Sequence, residues 1–185
     1  MDETGTLGFA RHAAAAPGAP DALPADDPLL RDMARLERLC FPRPFNYPLG
    51  TLRRFLAQPG AALLTWRAEP DADVPPAALP DGTGAPGALV AFHVFDFDDR
   101  ELITLDVHPD WRRRGLGTRL VGESLARLAA AGCRRARCHI AVGNDASVDL
   151  HAKLGFRVIR RVRAYYGPAR AAWLMEAPTR PASIK

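Results

Sequence analysis

Three consecutive arginines, Arg112, Arg113 and Arg114, run directly into Gly115, Leu116, Gly117 and Thr118. Guanidinium groups carry a permanent charge and fork onto phosphate oxygens, and glycine removes the side chain where a backbone must approach something closely. An apolar run precedes the block and a helical stripe follows it, so the turn opens a helix at about Gly115. The N–H groups of residues 113–118 then lack intrahelical partners and converge at the positive end of the helix dipole. Together these devices form a cradle for a diphosphate. The same letters also describe a loop of solvated arginines with a glycine cap. The spacing is neither a Walker A loop nor a Gly-x-Gly-x-x-Gly turn, which disfavours nucleoside triphosphates and dinucleotides.

Three acid–base side chains lie around this block. Glu101 opens the strand ahead of it, a place where an isolated carboxylate is ordinarily just solvated. His139 sits mid-strand among Cys138, Ile140 and Ala141, the setting of a core histidine satisfied by backbone. His151 shares one helical face with Ser147, Leu150 and Leu154, so it points inward.

The elements that must position these groups are legible in the periodicity. Leu29, Leu30, Met33, Leu36 and Leu39 or Cys40 repeat at helical spacing until Pro42 stops the helix. A second short helix covers about 48–57, and "AALLTW" (61–66) is a compact strand. Residues 69–87 are a Pro/Gly loop without a readable fold. Strands at 88–97 and 101–109 are joined by a turn at Asp98-Asp99-Arg100. A helix runs from the glycines to Gly132, a strand covers 135–142, and a short helix covers about 145–154. Strands at 156–166 and 170–177 close the chain. This order predicts an α/β sandwich on a mixed sheet.

At 185 residues the chain holds one domain with a full core. Residues 1–27 are rich in Ala, Pro, Gly and Asp and show no period, so they read as a disordered or loosely attached arm. The folded domain then spans 28–177, and 178–185 form a tail. The net charge of +4 comes almost wholly from arginine, since Lys153 and Lys185 are the only lysines. Arginines without interleaved aromatics or a recognisable binding fold argue against a nucleic-acid partner. Three cysteines without Cys-x-x-Cys spacing indicate neither a disulfide framework nor a metal site. The acidic N-terminus lacks a secretory leader, and no apolar run approaches ~18 residues, so no membrane span is expected and the cytoplasm is the default compartment.

The block "LDVHPDWRRRGLGTRLV" resembles the acetyl-CoA motif of the GNAT N-acetyltransferases, with Arg112, Gly115 and Gly117 on the motif's positions. "VGNDASVDLHAKLGF" is similar to the family's second motif through Asn144, Ser147, Leu150, Gly155 and Phe156. "CFPRPFNYP" and the paired Tyr165 and Tyr166 are similar to the substrate loops of the RimI-like and other protein N-terminal acetyltransferases. The resemblance covers roughly 28–177.

It implies the GNAT fold: a mixed central sheet whose middle strands, 101–108 and 135–142, splay apart, flanked by helices. Residues Arg112 to Thr118 would hold the acetyl-CoA diphosphate, and backbone groups near Leu105 and Val107 would pair with pantetheine. Asn144 would bond the same arm, or serve as the N-cap of its helix, or both. Phe41, Tyr165 and Tyr166 would contact the acceptor, although the tyrosines also read as edge-strand aromatics. His139 falls where such enzymes carry a Glu or His base, and an ordinary imidazole at ~6.5 suits an α-amine at ~8. Glu101 falls where a carboxylate works through water. His151 replaces the tyrosine that commonly protonates the departing thiolate; it would act as an imidazolium or stay a neutral buried imidazole. The expected reaction is direct acetyl transfer to a peptide or protein N-terminus. A small-molecule amine is the second acceptor class, and a non-catalytic acyl-CoA-binding module is the alternative of a different kind. No metal is implied, and nothing in the sequence sets an oligomeric state.

Overall fold

The computed structural model describes residues 5–11, 24, 26–68 and 87–179. One seven-stranded sheet organises them, in the order β1-β2-β3-β4-β5-β7-β6. The strands are β1 Gly5–Arg11, β2 Ala61–Ala68, β3 Leu89–Asp96, β4 Glu101–Val107, β5 Arg135–Ala141, β6 Arg157–Val162 and β7 Ala172–Pro178. Neighbours are antiparallel except β4 and β5, which are parallel and joined by the crossover helix α3, Leu116–Ala130. The mixed sheet expected from the sequence is therefore present.

Two helices cover one face. Helix α1, Pro28–Cys40, starts on Asp27, whose carboxylate accepts the Leu30 N–H, with Pro28 in the first turn where no N–H is needed. Leu30, Met33 and Leu36 pack with Leu52 and Leu56 of α2, Leu49–Leu56, onto Leu63, Phe92 and Val94 of the sheet. The opposite face carries α3 and α4, Asp145–Lys153. There Leu116, Leu120, Val121 and Leu128 meet Trp66, Phe95 and Ile140. Trp66 is core, while Trp173 is only half-buried against the same cluster.

One expectation is overturned. Residues 5–11 are an edge strand, β1, paired with β2 from Gly5↔Ala68 to Arg11↔Ala62, and not part of a loose arm. Leu7 packs on the core, and the Arg127 guanidinium of α3 sits 3.6 Å above the Phe9 ring. Gly5 lies so close over the Trp66 indole that a Cβ there would overlap it. Pairing with an existing sheet edge supplies this strand's stability, and a period search cannot register that. The expected loop at 69–87 lies outside the described residues except for Gly87, as do residues 180–185 of the tail.

Candidate active site

Strands β4 and β5 bridge only at Glu101↔Arg137 and Leu102↔Cys138 and then part. The His108 N–H donates to the Val90 carbonyl on β3, so by strand alternation the backbone of Val107 and Leu105 turns the other way, into the gap. The expected splay is present. Val107's carbonyl, however, already accepts from Arg112 Nε at 3.1 Å and Cys40 Sγ at 3.3 Å, so only its N–H is left to reach across.

At the end of β4 a single 3-10 turn, Pro109–Trp111, leads into the arginine–glycine block. Gly115 caps α3 at φ 86°, in the left-handed region glycine reaches without strain, and Arg113 sits there too at φ 66°. The Gly115 carbonyl accepts the Arg119 N–H. Among the described residues no acceptor meets the N–H groups of residues 113–118, so these donors stand open at the start of α3. The arginines do not all face it: Arg112 turns back onto Val107 and Arg114 stacks on the Trp111 ring at 4.7 Å. A Cβ on Gly117 would lie 2.8 Å from Leu150 Cδ1 and 3.6 Å from Leu105 Cδ2, so that glycine keeps the seam between α3, α4 and the gap open.

His139 is the first residue of β5 beyond the last bridge to β4. Its Nδ1 lies 2.7 Å from Glu101 Oε1. The carboxylate can only accept here, so Nδ1 carries a proton, and in the neutral ring the lone pair is on Nε2. Tyr165 stacks on the imidazole at 4.1 Å, and the Tyr166 hydroxyl donates to the His139 carbonyl at 3.0 Å. The ring is thereby held by the carboxylate and the stacked phenol, and the backbone behind it by Tyr166. Arg137 approaches the second Glu101 oxygen at 3.4 Å. Burial pushes the Tyr165 phenol up to about 12, with Glu101 adding to it, so this hydroxyl remains a proton donor at neutral pH.

A cavity of about 130 Å³ opens beside the pair, lined by Glu101, His139, Tyr165, Tyr47, Phe55 and Ile103 among others. It lies on the face of α1 and α2. The loop between those helices delivers Tyr47, packed edge-on against Phe55 at 5.0 Å, and Phe45, edge-on to Tyr166 at 5.7 Å. The sequence pointed to Phe41 in this loop. Phe41 is the C-cap of α1 and does not line the cavity, and Tyr166 holds the wall from behind.

Asn144 caps α4 by accepting the Ser147 N–H at 3.3 Å. His151 is buried, as its helical face required, with Nδ1 2.8 Å from the Ser147 carbonyl. A carbonyl accepts only, so Nδ1 carries the proton; burial also pushes the imidazole below its ordinary range. His151 rests neutral, which is the second of the two states open to it from sequence. His93 escaped the sequence reading. It is buried between the Thr104 carbonyl at 2.8 Å and Ser124 Oγ at 3.2 Å, and burial lowers it to about 4. Among the described residues no three His, Cys, Asp or Glu side chains gather to hold a metal, and no helix is long and apolar enough to cross a membrane.

Comparison with known proteins bears on this arrangement. An N-alpha-acetyltransferase of Sulfurisphaera tokodaii is 30% identical over 78 residues, 42% of this chain and 47% of that protein. The match thus spans about half the length of that curated relative. The ribosomal-protein-S18-alanine N-acetyltransferase of Escherichia coli superposes with a TM-score of 0.65 at 18% identity, covering 97% of this chain and 98% of that one. Ard1 of Thermoplasma volcanium gives 0.66 at 15% identity, over 95% and 97%. At such identities these two structures speak for the fold. Residues 30–156 match the model of the acetyltransferase (GNAT) family, and since that is more than half of the sequence, the chain belongs to that family.

Proposed function

We propose that this GNAT protein transfers the acetyl group of acetyl-CoA directly to an N-terminal α-amine of a peptide or protein, with His139 as the base. The observation that carries this reading is the Glu101–His139 pair at the mouth of the β4–β5 gap, facing a cavity on the α1/α2 face. The anion cradle opens at the start of α3 on the other face, so the two substrates would meet at the gap from opposite sides.

The cradle fits the diphosphate of acetyl-CoA: six consecutive N–H groups from 113 to 118, two left-handed residues and an arginine-rich rim suit a dianion. The N–H of Val107 and the backbone of Leu105 would pair with the pantetheine arm, with Asn144 free to add its amide N–H. When bound, the thioester supplies the acyl group. His139 Nε2 takes a proton from the incoming ammonium, and Glu101 stabilises the imidazolium that results. The leaving thiolate needs a proton. Tyr165, held protonated and stacked on His139, is the better-placed donor, because His151 is neutral and its only N–H is engaged.

A small polycationic amine is the second reading. Asp96 and Asp99 share the cavity wall with Glu101 and would favour a second positive charge on the acceptor. Mass spectrometry of acetyl-CoA reactions with a peptide panel and a polyamine panel separates the two. Acetyl groups mapped to peptide α-nitrogens support the proposal, and acetylation confined to polyamines contradicts it.

A further inference from the structure

Glu37 and Asp106 are fully buried, one on the inner face of α1 and the other on β4 beneath it. Each carboxyl uses one oxygen conventionally. Glu37 Oε1 accepts the Tyr47 backbone N–H at 2.9 Å, and Asp106 Oδ2 accepts the Thr104 hydroxyl at 2.8 Å. Their other oxygens, Glu37 Oε2 and Asp106 Oδ1, are buried and make no well-formed hydrogen bond among the described residues, with the Thr104 hydroxyl approaching Glu37 and the Cys40 thiol approaching Asp106. The two carboxyls nevertheless lie within hydrogen-bonding reach of each other. Two carboxylates so placed cannot both stay ionised, whereas one proton between them satisfies both orphaned oxygens. The Cys40 thiol and the Tyr47 phenol also face the pair, and the Arg112 guanidinium lies beside Cys40. The single thiol proton of Cys40 is donated to the Val107 carbonyl, so its approach to Asp106 does not supply the missing proton, and Arg112 Nε is engaged on the same carbonyl.

We propose that Glu37 and Asp106 hold a single proton between them, and that this bridge is a positioning device fastening Tyr47, and with it the acceptor side of the cavity, to the strand lining the cofactor gap. The bridge ties three parts of the site together. Glu37 grips the backbone of the α1–α2 loop at Tyr47, whose side chain lines the cavity beside His139. Asp106 lies between Leu105 and Val107, the residues whose backbone faces the gap. Burial acts in the same direction as the shared proton, raising both carboxyls above their ordinary range. As pH rises through that raised range the proton leaves, two buried like charges repel, and the grip on Tyr47 loosens. The loop's part in acceptor binding rests on the function proposed above; the shared proton does not.

The test combines two readouts. With carboxyl-13C-labelled Glu and Asp, an NMR titration of the wild type should show Glu37 and Asp106 titrating together, with one proton retained at neutral pH. Ordinary independent titration near ~4 overturns the proposal whether or not any amine is acetylated. Kinetics then test the positioning role. Glu37→Gln keeps both bonds, its amide oxygen accepting from Tyr47 and its N–H donating to Asp106. Glu37→Leu loses both. Expected is an acceptor KM within about threefold of wild type for the glutamine variant at pH 7, and raised roughly tenfold or more in the leucine variant, with little change in kcat. As pH rises above neutral the ratio of wild-type to Gln-variant KM should climb, because only the wild type has the proton to lose. A constant ratio, or a Gln variant as impaired as the Leu variant, overturns the positioning role. Should the Leu variant not fold, Asp106→Asn repeats the isosteric arm and must show the same pH-flattened KM.

Discussion

Replacing Glu101 with glutamine removes one negative charge from the group that holds His139, while leaving an oxygen to accept the Nδ1 proton. The tautomer and ring position should survive, since Tyr165 and the Tyr166 hydroxyl also fix the residue. What is lost is the stabilisation of the imidazolium formed on proton uptake. Two unit charges about 4 Å apart interact by roughly 4 kcal/mol at an effective dielectric of about 20. The pair is closer than that, at 2.7 Å, but its side chains are 15% and 19% exposed and Arg137 already offsets part of the Glu101 charge. A realistic loss is therefore about 1–2.5 kcal/mol, or roughly five- to seventyfold in kcat/KM. The assay is thiol release from acetyl-CoA with a good peptide acceptor, alongside calorimetric affinity for acetyl-CoA, which should not move. Wild-type rates in Glu101→Gln would refute the charge-stabilised dyad. A loss larger than that of His139→Ala would transfer the base to the carboxylate.

Gly117→Val should fold, since the first atom it meets is the movable end of Leu150, yet lose thermal stabilisation by CoA because its branches enter the gap seam; retained stabilisation contradicts the cradle's placement. Deleting residues 1–12 strips β1 from the sheet and uncovers Leu7 contacts and the Trp66 edge, which should cost about 2–3 kcal/mol in urea unfolding. An unchanged midpoint would mean the strand adds nothing. His93 is held at about 4, below its unfolded value, so the stability it contributes is complete above pH ~6.5 and is lost as pH falls toward about 4, by roughly 3 kcal/mol. Urea titrations across that window should show this slope in the wild type and a weaker one in His93→Gln, and parallel curves would disprove it. The Glu37–Asp106 pair acts with the opposite sign, since raised carboxyls lose stability as pH rises, so the histidine is read from the difference between the two proteins.

The helices and strands from 28 onward follow from local pattern, because each buries one face and its caps and breakers, Asp27, Pro42 and Gly115, act within a turn or two. Strand β1 does not, because "TLGFAR" offers only Leu7 and Phe9 between glycines and forms by pairing with a distant edge. The acid–base candidates were legible as residue types, but their union was not. Glu101 and His139 are 38 residues apart, and it is the parallel register Glu101↔Arg137 that brings them into contact. The buried carboxyl pair did leave a signal that went unread. Glu37 falls four residues after Met33 on the apolar stripe of α1, and Asp106 continues the inward alternation of Leu102 and Thr104. Tyr47 and Phe55 could not be assigned to a cavity before the α1–α2 loop had a course.

Single-turnover acetylation of a peptide by His139→Ala, measured with acetyl-CoA affinity on the same sample, bears most directly on the claim that this imidazole is the base. The account predicts a rate lower by roughly two to four decades with the acetyl-CoA Kd within about twofold of wild type. A wild-type rate in that variant, at undiminished acetyl-CoA affinity, would contradict it.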